Sequence, residues 1–387
     1  MHTTMRSLIV CGTLALLLVA GCAETSATKG NPMSGTGNAG AVRREGGKVW
    51  IDGVKGFDPC QYTSSVHGSQ ARILQVLGEK VGYDDLVCYS AFAFRVQWHQ
   101  QGCPSAAHPG PGYTCLEGSN RAIPWRMAIY EDAPWNKQPQ SGRTAFEAKV
   151  REAVRASIDR GIPVHYGSEE DGLIIGYGDG GRRWLCVHPY YKDGAEQFWH
   201  DEAKDFAGGK WPWGVVVWTE PQSPSERTSE RDLLIAALRQ AVDMWKTRIK
   251  GDYFCGEAAY EQWLAYLHGV ESGEVKDPKT GMQGNAWCFD VLAQNRQIAG
   301  RWLAAKAQGL DGEAGKQLAV AAGHYEALSE GCMKDLKCTW ELALPPQQFD
   351  KWTSALRKEQ IRRLQAAREH DRAAVAAIEQ ALAAIKP

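Results

Sequence analysis

The spacing of apolar residues divides the chain into a mixed first part and a helical second part. Short alternating runs predict strands at 48–53, 125–130, 162–166, 172–177, 183–188 and 213–218. Apolar residues three and four positions apart predict helices near 60–78 and 144–158. Beyond a polar linker at 221–226 the spacing is helical to the end of the chain. The pattern therefore predicts an α+β domain at 48–222 and an all-α domain at 223–387.

The predicted helix near position 60 carries the first candidate for chemistry. Asp58 suits a helix cap, Pro59 suits the first helical position, and Gly78 suits a helix end. Cys60 then falls in the first turn, where unpaired N–H groups and the helix dipole favour a thiolate. A cysteine in such a place is the nucleophile of papain-like enzymes. The same position also suits a small buried residue, so both interpretations stay open here.

The first 47 residues predict an export signal followed by a tether. Arg6 precedes an apolar core at 8–20 that is too short to span a bilayer. The run Val19-Ala20-Gly21-Cys22 matches the bacterial lipobox, which implies cleavage before Cys22 and lipidation of that residue. We therefore expect a lipoprotein signal peptide at 1–21 and a flexible tether at 22–47. The protein would then be extracytoplasmic and anchored by lipid to the bacterial cell membrane or outer membrane. An ordinary signal peptide with a chance cysteine is the alternative.

Charge and cysteine content narrow the function classes. The formal net charge is −1, so nothing in the composition indicates nucleic-acid binding. Of the 11 cysteines, Cys11 lies in the signal and Cys22 would carry lipid. The number of cysteines that remain is odd, so at least one thiol stays unpaired outside the cytosol. Cys103 and Cys115 flank a loop rich in Pro and Gly, which predicts a disulfide between them. Two further candidate pairs are Cys332–Cys338 and Cys255–Cys288. With all three pairs formed, Cys60, Cys88 and Cys186 would stay unpaired.

Four segments occur in an order that resembles the papain-like bacteriocin-leader peptidase group, and most closely the N-terminal domain family of butirosin biosynthesis protein H. The segments are Cys60 to Gly78, Ala93-Phe94-Arg95, Gly161 to Val164, and Leu173 to Gly178. The resemblance implies a papain-like α+β domain with an antiparallel sheet and a Cys-bearing helix, followed by a helical C-terminal part. It also implies cysteine-dependent hydrolysis or acyl transfer on a peptide or amide substrate, without a cofactor.

The sequence departs from that group at the general base. In the group a His opens the strand that leads into Gly-Tyr, where this chain has Glu170-Asp171-Gly172. The partner Asp or Asn of the group follows one strand later, before a Pro, where this chain has His188 before Pro189. The Gln expected shortly before the nucleophile is missing between 53 and 59. We therefore predict that His188 acts as the base for Cys60 from the neighbouring strand, with Glu170 or Asp171 orienting it.

Two alternatives to this enzyme hypothesis remain open. In one, the site is degenerate and the domain binds a ligand or peptide without turnover. In the other, Cys186 and His188, on one face of a strand, join Cys60 or His165 in a metal site, although no Cys-x-x-Cys or His-rich signature accompanies them. A reactive thiol at Cys60 beside His188 would distinguish the enzyme from the binding module.

Overall fold

An antiparallel sheet of eight strands forms the first part of the protein. The computed structural model describes residues 40–55, 62–131, 140–167, 170–187, 197–201 and 214–385. The strands of the sheet are β1 (Val42–Glu45), β2 (Lys48–Ile51), β4 (Trp125–Glu131), β5 (Val164–Gly167), β6 (Gly172–Gly178), β7 (Arg183–Val187), β8 (Gln197–Asp201) and β9 (Gly214–Pro221). With the helices given below, the class is α+β, as the sequence predicted.

Strand β6 is the centre of this sheet. It pairs with β5 and then β2 along its length, and with β7 as well. All seven of its residues are buried, which explains the continuous apolar run in its sequence. A side chain at Gly176 would approach Trp50 Cβ to 2.7 Å, so the close contact between β6 and β2 requires glycine there.

The sheet begins inside the segment that was predicted to be a tether. Strand β1 pairs with β2 as a hairpin, with Val42 opposite Ile51. Gly46 and Gly47 form its turn, with φ values of 55° and 77°. The tether prediction is therefore wrong for the last residues of 22–47, while its earlier residues and the signal peptide lie outside the described part of the chain.

Helices surround the sheet and make up nearly all of the second part. They are α1 (Ser65–Val76), α2 (Tyr83–Tyr89), α3 (Leu116–Ala122), α4 (Gln140–Asp159), α5 (Glu230–Lys246), α6 (Gly256–Ser272), α7 (Lys279–Gln308), α8 (Gly312–Met333) and α9 (Ser354–Ala384). On the last helix, the apolar side chains of Ile361, Leu364, Val375 and Ile378 are buried. None of the helices in the described ranges combines the length and hydropathy that a membrane span requires.

Two features join the parts across the predicted boundary at 222/223. A second sheet pairs β10 (Ile249–Lys250) with β11 (Tyr253–Cys255), and β11 with β3 (Gln97–His99) from the first part. In addition, the fully buried Arg296 of α7 donates hydrogen bonds to the carbonyls of Ala93 and Phe94. The helical part therefore contacts the loops of the α+β part directly.

Helix α1 begins later than the sequence predicted. Its cap is Ser64, whose hydroxyl oxygen accepts the backbone N–H of His67 at 3.3 Å. Residues 62–64 are not helical, because the phenol oxygen of Tyr83 accepts the N–H groups of Thr63 and Ser64. The cap predicted at Asp58 and the first turn predicted at Cys60 are therefore wrong for this helix.

Candidate functional site

The first turn of α1 meets the turn between β5 and β6. Ser65 Oγ donates to Glu170 Oε2 at 2.7 Å and accepts the backbone N–H of Asp171 at 3.0 Å. The two carboxylates selected from the sequence therefore lie at the N-terminus of the helix that follows Cys60. The positive end of a helix dipole stabilises negative charge at such a position.

A buried His–Asp pair lies at the same junction. His165 of β5 and Asp171 are joined by a hydrogen bond of 2.5 Å between Nε2 and Oδ2. Both are almost entirely buried, with 6% and 8% of their surface exposed. A carboxylate accepts hydrogen bonds, so Nε2 carries the proton and Nδ1 keeps a lone pair. This is the arrangement in which an acid orients an imidazole as a general base and stabilises its cation.

The strand pairing explains why these two residues meet. Strand β5 lies between β6 and β9, and His165 pairs with Leu173 and Val216. The turn to β6 then brings Asp171 back beside His165, six residues later along the chain. His165 and Asp171 therefore meet because the chain reverses direction between β5 and β6.

His67 lies in the buried first turns of α1. Its Nδ1 is 2.8 Å from Ser64 Oγ, its ring stacks on Phe92 with 5.7 Å between centroids, and its Nε2 has no hydrogen-bond partner among the described residues. Complete burial, aided by His108, Arg95 and His165, lowers the pKa of His67 to about 3. The ring is therefore neutral at physiological pH and is a poor candidate for a general base.

The loop after β3 brings a third histidine to this region. The buried guanidinium of Arg95 donates to main-chain carbonyls of the loop at Ala106, His108, Pro109, Pro111 and Tyr113. Burial lowers the pKa of His108, while the nearby Asp171 acts in the opposite direction. Arg95, one of the residues of the resemblance, therefore organises the loop that places His108 in the electrostatic field of Asp171.

The predicted site residues divide into two sets. Glu170 and Asp171 lie together at the start of α1. Cys22, Cys60 and His188 lie outside the described residues. His165 had been considered only as a metal ligand, although it directly follows the quoted segment Gly161 to Val164. That adjacency was the available signal for the His165–Asp171 pair.

The cysteine pairing predicted from the loop is not present in the structure. Cys103 and Cys115 are free thiols, and so are the described Cys255, Cys288 and Cys332. Cys103 Sγ accepts a hydrogen bond from Ser105 Oγ, whereas Cys115 is fully buried and burial raises its pKa to about 11. The hydrogen bonds from Arg95, rather than a disulfide, close this loop.

The described side chains do not support the metal site that was the other alternative. Within the described ranges, no group of three or more His, Cys, Asp or Glu side chains is arranged to hold a metal ion. Cys186 of β7 is buried, and burial raises its thiol pKa well above the ordinary value, which disfavours the thiolate that a metal requires.

No protein-family model matches the chain, and no curated protein sequence matches it.

Proposed function

We propose that this protein is a lipid-anchored, extracytoplasmic cysteine hydrolase or acyltransferase acting on a peptide or amide substrate. Cys60 is the nucleophile, and His165, oriented by Asp171, is the base in place of His188. The observation that carries the proposal is the 2.5 Å hydrogen bond from His165 Nε2 to Asp171 Oδ2 at the start of α1. The description of the chain before this helix starts at Tyr62, two positions after Cys60.

The proposed reaction has two steps. His165 Nδ1 accepts the proton of the Cys60 thiol, and the resulting thiolate attacks the substrate carbonyl. The imidazolium then gives that proton to the departing amine, which leaves an acyl thioester. His165 then accepts a proton from water or an acceptor amine, whose oxygen or nitrogen attacks the thioester and releases the thiolate. Asp171 keeps the imidazole in the required tautomer and stabilises its cation in both steps.

The carboxylate of Glu170 has a supporting role in this proposal. Its bond to Ser65, and the bond from the Asp171 N–H to the same hydroxyl, fix the β5–β6 turn against α1. Ser65 thereby holds Asp171 in line with His165. The reacting groups are thus Cys60 and His165, with Asp171, Ser65 and Glu170 positioning them.

Acylation by an activated ester tests this function. We expect 4-nitrophenyl acetate to place one acetyl group on Cys60, located by peptide mapping, with release of 4-nitrophenolate. His165→Gln should slow this acetylation on the order of 10²-fold or more, because a general base contributes about 10²- to 10⁴-fold. His188→Gln is the matched variant and should leave the rate within about twofold of wild type.

Cys60→Ser is the control for acetylation at other residues and should remove the fast phase. Half-exposed Cys103 provides an internal reference thiol in every sample. Equal acetylation rates at Cys60 and Cys103 in wild-type protein would reject the enzyme proposal.

A binding module on the same site is the second candidate. The observation that favours it is the burial of His165 and Asp171, since a substrate must displace neighbouring groups to reach them. In that case the His–Asp hydrogen bond stabilises the fold, and neither acetylation nor its dependence on His165 occurs. The acylation experiment therefore decides between the two functions.

The anchoring part of the proposal is tested separately at Cys22. Cys22→Ser removes the thiol that the lipobox would use, so we expect the protein to leave the membrane fraction when cells are fractionated. The acylation site is unaffected by this change, which makes Cys60 reactivity in the released protein a control for folding. Unchanged membrane association would contradict lipidation at Cys22.

A further inference from the structure

Two histidines face each other where α8 packs against α9. The Nδ1 atoms of His324 and His370 lie 3.3 Å apart, and their ring centroids are 5.6 Å apart. Both side chains are half-buried, so part of each ring is accessible to an ion in solution. If the contact is a hydrogen bond between neutral imidazoles, one ring donates and the other accepts. The proposed hydrolase reaction makes no use of this pair.

The distance between the two nitrogen atoms also suits a shared metal ion. Zinc binds imidazole nitrogens at about 2.0–2.1 Å and prefers four ligands in a tetrahedron. With both Nδ1 atoms at that distance from one ion, their separation of 3.3 Å corresponds to an N–Zn–N angle of about 107°, close to the tetrahedral value of about 109°. A square-planar ion would need the nitrogens only about 2.9 Å apart, so the pair matches zinc better than a metal of planar geometry.

The residues that follow the two histidines hold both of them in place. Tyr325 follows His324 and is fully buried, and the Arg296 guanidinium lies 5.3 Å from its ring centroid. Asp371 follows His370 and accepts two hydrogen bonds from the same guanidinium. One buried cation therefore fixes the next residue of each helix. Ligands on helices that are packed in this way keep their spacing better than ligands on loops.

We propose that His324 and His370 form a zinc site that joins α8 to α9. Among the residues that the structure describes, no third His, Cys, Asp or Glu completes the group, so two positions of the tetrahedron are left to water or to an added ligand. Burial and the neighbouring His370 lower the pKa of His324, which favours the neutral ring that a metal requires. The site is separate from the His165–Asp171 pair of the sheet.

Titration of the full-length protein with Zn²⁺ tests this site. The protein is first freed of metal with EDTA and desalted, and a chromophoric chelator then competes for the added Zn²⁺. His324→Gln and His370→Gln should each weaken one zinc site at least about tenfold, since losing a residue that only orients a ligand already costs about 10- to 100-fold in metal affinity. His268→Gln, at an exposed position of α6, is the matched control and should keep the wild-type affinity.

A second measurement uses the wild-type protein alone and does not depend on how the variants fold. Diethyl pyrocarbonate modifies an imidazole nitrogen that has a free lone pair. A ring that gives Nδ1 to zinc carries its proton on Nε2, so it has no such lone pair left. At a Zn²⁺ concentration about ten times the Kd, mass action leaves about a tenth of the sites free, so modification of both histidines should slow about tenfold. Peptide mapping gives these rates, and His268 should react equally with and without Zn²⁺.

Three results would overturn the inference. One is equal zinc affinity in wild type and in His324→Gln or His370→Gln. Another is an equal modification rate at these two histidines with and without Zn²⁺, which would leave a hydrogen bond between two imidazoles as the account of the pair. The third is a loss of affinity in His268→Gln as large as in the other variants, which would place the zinc elsewhere. None of these results depends on the acetylation experiment, so the zinc site and the proposed function can fail independently.

Discussion

Replacing Arg296 with Met is expected to lower the free energy of unfolding by about 3–5 kcal/mol, a large share of the stability of a typical domain. Arg296 is completely buried and forms two hydrogen bonds with Asp371 of α9, at 2.6 and 2.9 Å. It also donates to the carbonyls of Ala93 and Phe94. The substitution leaves the Asp371 carboxylate buried without a cation and leaves these carbonyls unpaired, and both effects oppose folding.

Arg301→Met is the matched control, because Arg301 lies on the same helix and also makes two bonds to an aspartate. Its partner is Asp84, and both side chains are substantially exposed, at 52% and 37%. An exposed ion pair of this kind contributes about 0–1 kcal/mol. Denaturant unfolding of both variants measures the difference. Equal losses of stability would contradict the account of Arg296 as the link between the two parts.

The second large effect concerns acid stability. Because burial lowers the pKa of His67 to about 3, the folded protein keeps this ring neutral while the unfolded chain protonates it near pH 6.5. Below pH 6.5 the unfolded state binds one more proton than the folded state, so stability falls as the pH is lowered. The loss approaches about 1.4 kcal/mol per pH unit, or roughly 2 kcal/mol between pH 7 and pH 5.

His67→Phe should remove most of this pH dependence, since the ring no longer titrates and can still stack on Phe92. A residual slope is expected from His108, whose pKa burial also lowers. His268→Gln, at an exposed position of α6, is the control and should leave the wild-type slope unchanged. Denaturant unfolding at pH 7, 6 and 5 gives the slopes. A slope in His67→Phe equal to that of wild type would contradict the assignment.

Short strand-like runs were enough to predict six strands of the sheet, because a strand that packs in a core needs apolar side chains. Each of these six runs overlaps a strand of the sheet, whereas β1, beside a segment rich in Gly, and β8 were missed. The start of α1 was placed wrongly for a physical reason. Asp58-Pro59 is a strong local start signal, but the actual boundary is set by Tyr83 of another helix, whose phenol oxygen accepts the N–H groups of Thr63 and Ser64.

The proposed base could not be located from spacing alone, because its contact with Asp171 depends on strand pairing. In the resembling group, the base opens the strand that begins beside residue 171 in this chain. No histidine stands there, so the prediction moved to His188 on the next strand. In the structure Asp171 bonds instead to His165, across the β5–β6 turn. The cysteines illustrate the same limit, since Cys103 and Cys115 flank one loop but have different neighbours.

The central claim is that His165, not His188, activates Cys60, and the rate of Cys60 alkylation at pH 6 tests it most directly. Iodoacetamide labelling of wild type, His165→Gln and His188→Gln, followed by peptide mapping, gives this rate relative to Cys103 in the same sample. The account predicts that wild type and His188→Gln label Cys60 much faster than Cys103, and that His165→Gln loses about tenfold or more of that rate, since the Cys60 thiol loses the base that accepts its proton. A loss in His188→Gln with none in His165→Gln would contradict it.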